Sequence, residues 1–139
     1  MSVSYRLFDH TSDLGVEVRG NSLKSLFHNA AMAVLDLAID ARSIKPKIVK
    51  KIEITESNHE LLLKEWLSEI VYQTMTLEFM ISEIRITQLT SQKIDAEIGG
   101  EKHNSHRHPI RRELKGITYH QLSIREQEKS WKARFVIDV

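Results

Sequence analysis

At 139 residues the chain is the size of one domain, long enough to bury a core without disulfides or a structural metal. Its 41% hydrophobic and 28% charged residues are those of a soluble globular protein, and the lack of cysteine excludes disulfides and thiolate metal sites. Twenty basic side chains against 19 acidic ones leave a net charge of +1, without the basic excess of a domain that grips RNA by its phosphates.

The first residues, Met1-Ser2-Val3-Ser4-Tyr5-Arg6, lack the apolar run of a signal peptide. No stretch approaches the ~20 apolar residues of a membrane helix, so a cytoplasmic protein with no membrane contact is expected. A first strand is predicted near residues 4–8, and alternation at Leu14, Val16 and Val18 predicts a second. Leu23, Leu26, Phe27, Ala30, Ala31, Val34, Leu35 and Ala38 then recur at helical spacing, with Ser22 placed to cap the helix. Ile48, Ile52 and Ile54 suggest a further strand. The basic run from Lys45 to Lys51 falls on this alternation and reads as a solvated strand face.

A second helix is expected from a Ser57/Glu60 capping pair through Leu63, Trp66, Leu67, Ile70 and Val71 to about Met75. Trp66 and Phe27, at helical spacing, belong to the core. Four more strands follow, at 84–86, 94–98, 115–125 and 131–138. This order is not a strict alternation of strand and helix, so the expected class is α+β: a mixed β-sheet with two amphipathic helices packed on it. Few glycines and prolines and no repeat point to a single domain over 1–139.

Four stretches across the chain resemble the archease family. They are Asp9-His10-Thr11-Ser12-Asp13-Leu14-Gly15, the helix Ser22 to Ala31 with its Leu-x-x-Leu-Phe pattern, Trp66-Leu67-Ser68-Glu69-Ile70-Val71-Tyr72, and Lys115 to Leu122 followed by Trp131-Lys132-Ala133-Arg134 and Ile137-Asp138-Val139. Departures are modest: Ser12 stands where alanine is usual, Ser68 where asparagine is common, and Ile110-Arg111-Arg112 lacks a frequent Pro-Gly. The resemblance implies an archease-like domain that is not an enzyme. Its expected role is to activate an RtcB-type RNA ligase in tRNA splicing, by promoting guanylylation and turnover and by broadening the nucleotide triphosphates accepted. The ligase is then the partner, and tRNA is met only through it. A general chaperone or RNA-modification accessory protein is one alternative, and a metal-dependent hydrolase another.

Taken alone, Asp13 reads as a turn aspartate bonded to nearby amides, and Asp138 as a solvated strand end. The resemblance instead assigns Asp13, Asp138 and Val139 to a divalent-cation site, with no catalytic or cofactor-binding residue. Two carboxylates and a main-chain or terminal oxygen are hard donors, which suit Ca²⁺, or alternatively Mg²⁺, over zinc. His103, His106 and His108 have a spacing open to zinc, nickel or copper, but their polar surroundings read first as a solvated surface loop, with a partner or phosphate contact as the other possibility. His10 is close enough in sequence to orient Asp13. His120 reads as a hydrogen-bonded sheet histidine. No Walker motif, dinucleotide fingerprint or activated nucleophile is legible.

Overall fold

The computed structural model describes residues 4–8 and 13–139. Strands β1 (Arg6–Phe8) and β2 (Leu14–Gly20) lead into helix α1 (Leu23–Ala38). Strand β3 (Ile48–Thr55) and helix α2 (His59–Val71) follow, and a π-helical turn, Tyr72–Thr76, extends α2. The chain ends in β4 (Phe79–Leu89), β5 (Lys93–Lys102), β6 (Gly116–Gln127) and β7 (Ser130–Asp138). Every predicted strand is present, and the α+β class with two helices holds. The strands divide, however, into two antiparallel sheets, ordered β1-β2-β7-β6 and β3-β5-β4, where one mixed sheet is expected from the sequence.

The two sheets follow from the helices. Positions 30–35 of α1 are all buried, so the helix presents no polar face at its middle. It packs on β2 and β7 of the first sheet and on β4 of the second. Helix α2 likewise touches β6 on one side and β3 and β5 on the other. One apolar cluster therefore unites Val16, Val18, Phe135 and Ile137 of the first sheet with Ile84, Ile94 and Ile98 of the second. Trp66, Phe27 and Leu67 are wholly buried in it, and the Trp66 indole donates to the Phe27 carbonyl at 3.0 Å, so its one polar atom costs nothing to bury. No helix of the described residues is long and apolar enough to cross a membrane.

The caps show how local sequence sets the helix ends. Ser22 accepts from the Ser25 amide at 3.0 Å, and the Ser25 hydroxyl accepts from the Ser22 amide at 3.0 Å, a reciprocal box made by two serines. The second helix starts one residue later than its sequence suggests. Asn58 is the cap and accepts from Leu61 N at 2.9 Å, while the Ser57 amide turns to Glu56 instead. At the far end of α1 no basic residue lies in the last turn. Arg111 and Arg112, some 75 residues away, supply that charge: the Arg111 amide donates to Ala38 O at 2.7 Å and its guanidinium to Asp36 O at 3.0 Å, and Arg112 reaches Leu37 O at 3.3 Å. The 110–112 loop, which departs from the family pattern, is in this chain a C-terminal cap.

Candidate functional site

The outward face of the four-stranded sheet is set by register. Val16 and Val18 of β2 and Ala133 and Phe135 of β7 point into the core, so Gly15, Glu17 and Arg19 and their partners Val136, Arg134 and Lys132 lie on the opposite face. Reading across the strands gives parallel rows. Arg19, Lys132 and Arg125 stand abreast on β2, β7 and β6; next come Arg6, Glu17, Arg134 and Ser123, then Phe8, Gly15, Val136 and Thr118. The β2–β7 ladder ends at Leu14 paired with Ile137; Asp13 directly precedes β2, and Asp138, paired with Gly116, is the last residue of β7.

Two of the three expected cation ligands, some 125 residues apart in sequence, thus adjoin the same end of the β2–β7 ladder, Asp13 just before β2 and Asp138 at the end of β7. Asp13 is half-buried and Asp138 exposed. Lys115 N donates to Asp138 O at 2.7 Å and fixes the start of β6 beside the chain's last residues. Val139 follows directly, with 37% of its surface exposed. Two carboxylates and a main-chain oxygen make an all-oxygen set of the kind that Ca²⁺ or Mg²⁺ selects, so the chemistry of these residues fits such an ion. Among the described residues no cluster of three or more His, Asp or Glu side chains forms a closed metal site. His10 and Ser12 lie outside the described residues.

Gly15 belongs to this face for a packing reason. A Cβ there would lie 2.3 Å from the Phe8 ring, so only glycine lets that ring lie flat across β2. Arg134 in turn stacks over Phe8 with its guanidinium carbon 4.0 Å from the ring centroid. Beside it sits Glu17, 8% exposed, which accepts from Arg6 at 3.1 Å and lies within 3.5 Å of Arg134 and 3.9 Å of Arg19. Burial opposes ionisation of Glu17, but the Arg6 hydrogen bond and the charges of Arg6, Lys132 and Arg134 win and hold its carboxyl below the usual range. The sequence alone does not reveal this cluster, because its members alternate with core residues on three strands.

The histidine loop differs from expectation. Only His106 is solvated, whereas His108 is buried and His103 half-buried. The Asn104 amide donates to His108 Nδ1 at 2.8 Å, which places the ring proton on Nε2, facing Glu101 Oε2 at 3.2 Å. Nε2 of His103 donates to the His108 carbonyl at 2.9 Å. Both ring nitrogens of His108 are thus used in holding the turn, and the spacing that suggests a metal is a loop staple. Glu101, only 6% exposed, is its centre: it accepts from Lys45 N at 2.7 Å and from Arg107 at 2.8 Å. Arg107 continues to Ser43 O at 3.1 Å, and the Ser43 hydroxyl donates back to Arg107 O.

The Lys45 amide, with His108 and Arg107, outweighs burial and lowers the Glu101 carboxyl from 4.5 to about 2. A carboxyl lowered by folding stabilises the native state above its unfolded value, and that stability drains as pH falls from about 4.5 toward 2. Glu101→Gln is expected to melt lower than the parent at pH 7 and to show a flatter loss of stability between pH 5 and about 2. Circular-dichroism melts across that range check it, and an unchanged slope would contradict the assignment. His120, by contrast, is exposed on the irregular stretch of β6 between Thr118 and Ser123, where Gln121 takes a positive φ of 56°.

Comparison with known proteins agrees with this architecture. Residues 5–139 match the Archease protein family. Protein archease of Methanosarcina acetivorans is 31% identical over 139 residues, covering 97% of this chain and 95% of that one. Protein archease of Saccharolobus islandicus is 33% identical over 138 residues, covering 98% and 99%. The solution structure of a Methanobacterium thermoautotrophicum protein superposes with a TM-score of 0.79 at 26% identity, over 97% of this chain and 98% of that one. A Thermotoga maritima archease, described as a possible chaperone, shares the fold at a TM-score of 0.65 and 17% identity, over all of both chains.

Proposed function

The chain belongs to the archease family, and on that premise we propose that it is an accessory protein that activates an RtcB-type RNA ligase in tRNA splicing. It promotes guanylylation of the ligase, sustains repeated turnover and broadens the nucleotide triphosphates the ligase accepts. The observation that supports this reading is that the β2–β7 ladder ends at Leu14 and Ile137, so that Asp13 and Asp138 adjoin the same end of the four-stranded sheet. A divalent cation, Ca²⁺ or Mg²⁺, supplies positive charge there. Asp13, Asp138 and Val139 hold it at the end of the sheet, where a partner protein can reach it. That is the form a site takes when it completes the surroundings of nucleotide phosphates on another protein, not when it carries out a reaction alone.

An accessory protein shifts a ligase only by binding its competent state more tightly than its idle one. A rigid strand serves this purpose: β7 is paired on both sides and the Asp138 carbonyl accepts from the Lys115 amide, so the backbone at Asp138 is fixed before docking. In a single-turnover assay with GTP and no RNA, the cognate ligase should guanylylate faster with this protein than without it. The protein alone should neither form a covalent guanylate nor hydrolyse GTP. Equal rates with and without it, or nucleotidyl transfer by the purified chain, would remove the reading.

A further inference from the structure

The cation row at the other end of the same sheet is not used by that proposed activation. Arg19, Lys132 and Arg125 occupy directly opposed positions on three neighbouring strands, where like charges repel. The one carboxylate among them, Glu17, lies a row away and is shared among Arg6, Arg134 and, at 3.9 Å, Arg19, so a single negative charge faces five cations. Arg19 and Arg125 are exposed and Arg6 keeps 70% of its side chain in solvent, so none is drawn away into the interior. Arg134 Nε is buried and makes no hydrogen bond among the described residues.

A notch adjoins this row. Among the described residues strand β1 pairs only as far as Arg6 with Glu17, and no further pair covers the edge of β2 beyond it. The opening measures about 540 Å³ and is lined by Tyr5, Arg6, Glu17, Arg19, Asn29 and Lys132. That volume falls within the ~300–1,000 Å³ of small-ligand clefts. Its walls offer hydrogen-bonding groups held in place: Asn29 donates to Arg19 O at 2.8 Å and the Tyr5 hydroxyl to Asp36 at 2.7 Å.

We propose that this face binds single-stranded RNA directly, with the notch taking one nucleotide and Arg19, Lys132 and Arg125 contacting successive phosphates. A line of cations with long arms, laid across the strands, matches a continuous line of backbone charge. An acidic protein surface would not call for a nucleotide-sized notch at the end of the line, and a duplex would have to unstack and unpair a nucleotide to fill it, a cost a single strand does not bear. The assignment to RNA rests on the proposed role in RNA ligation. Under that role the acidic end faces the ligase and the basic end of the same sheet holds the substrate strand.

The test is fluorescence anisotropy of a labelled single-stranded RNA oligonucleotide with the full chain, across a salt series. Three phosphate contacts predict a slope of about −2 in log affinity against log salt, since each contact to a single strand contributes about −0.7. The double variant Arg19→Gln, Arg125→Gln should bind about tenfold more weakly at low salt, with a slope near −0.7. Both side chains are exposed, so the variant should fold, and its melting curve verifies this. No RNA binding by the parent at low salt, or equal binding by parent and variant, overturns the proposal. So does a variant whose only defect is weaker association with the ligase when RNA is absent, which would make the face a protein contact. The guanylylation assay contains no RNA and this one no ligase. Activation without RNA binding therefore sinks this inference alone, and RNA binding without activation sinks the proposed function alone.

Discussion

The Trp66→Ala variant is expected to lose about 3–5 kcal/mol of stability, the usual cost of truncating a fully buried tryptophan. Trp66 is 0% exposed and lies where α1 and α2 meet, so removing it opens a cavity between two helices that each also support both sheets. For a chain of this length the loss corresponds to a melting temperature lower by on the order of 10–20 °C. Native domains hold only about 5–15 kcal/mol in total, so the variant should be partly unfolded at modest denaturant. Trp66→Phe separates packing from hydrogen bonding. It keeps a large ring but gives up the bond to Phe27 O, and it should recover most of the loss. Urea titration of the three proteins gives the comparison. A loss below about 1 kcal/mol for the alanine variant would mean the helices collapse onto the cavity and that Trp66 does not fix their spacing.

Most of this core is legible in the amino-acid sequence. The helical period of Leu26, Phe27, Ala30 and Ala31 and the alternation along β2, β5 and β7 come from burial, and burial writes itself into sequence at fixed spacing. Pairing does not. Nothing local says that β2 neighbours β7 and β3 neighbours β5, so spacing does not distinguish two antiparallel sheets from one mixed sheet. The histidine loop shows a second limit. His103, His106 and His108 look alike along the chain, yet Glu101 and the Asn104 amide bury one ring and leave another in water. The net charge of +1 shows a third, because it averages over the whole surface while register gathers Arg19, Lys132, Arg125, Arg134 and Arg6 on one face. The proposed Asp13–Asp138 pairing is legible only through likeness to a family, since spacing alone gives each aspartate an ordinary solvated role.

That pairing carries the largest functional expectation. Asp13→Ala or Asp138→Ala removes a ligand from the sheet end without opening a core cavity, because Asp138 is exposed and Asp13 half-buried. Each variant should keep the parent's circular-dichroism spectrum and lie within about 1 kcal/mol of its stability without added metal. Their response to metal should differ. A cation that binds only the folded parent adds about 2.7 kcal/mol when present at a hundred times its dissociation constant, and this rise in melting temperature should vanish in both variants. Acceleration of ligase guanylylation should fall by at least the ~10–100-fold that loss of even an outer-shell partner costs a metal site. Asp138→Asn adds a control, since it keeps the shape and one oxygen while removing the charge. It should resemble alanine if charge relief holds the edge together, and the parent if shape alone matters. Should the folded Asp13→Ala, Asp138→Ala double variant activate the ligase as well as the parent, the paired carboxylates are not the docking edge and the contact must lie elsewhere on the molecule.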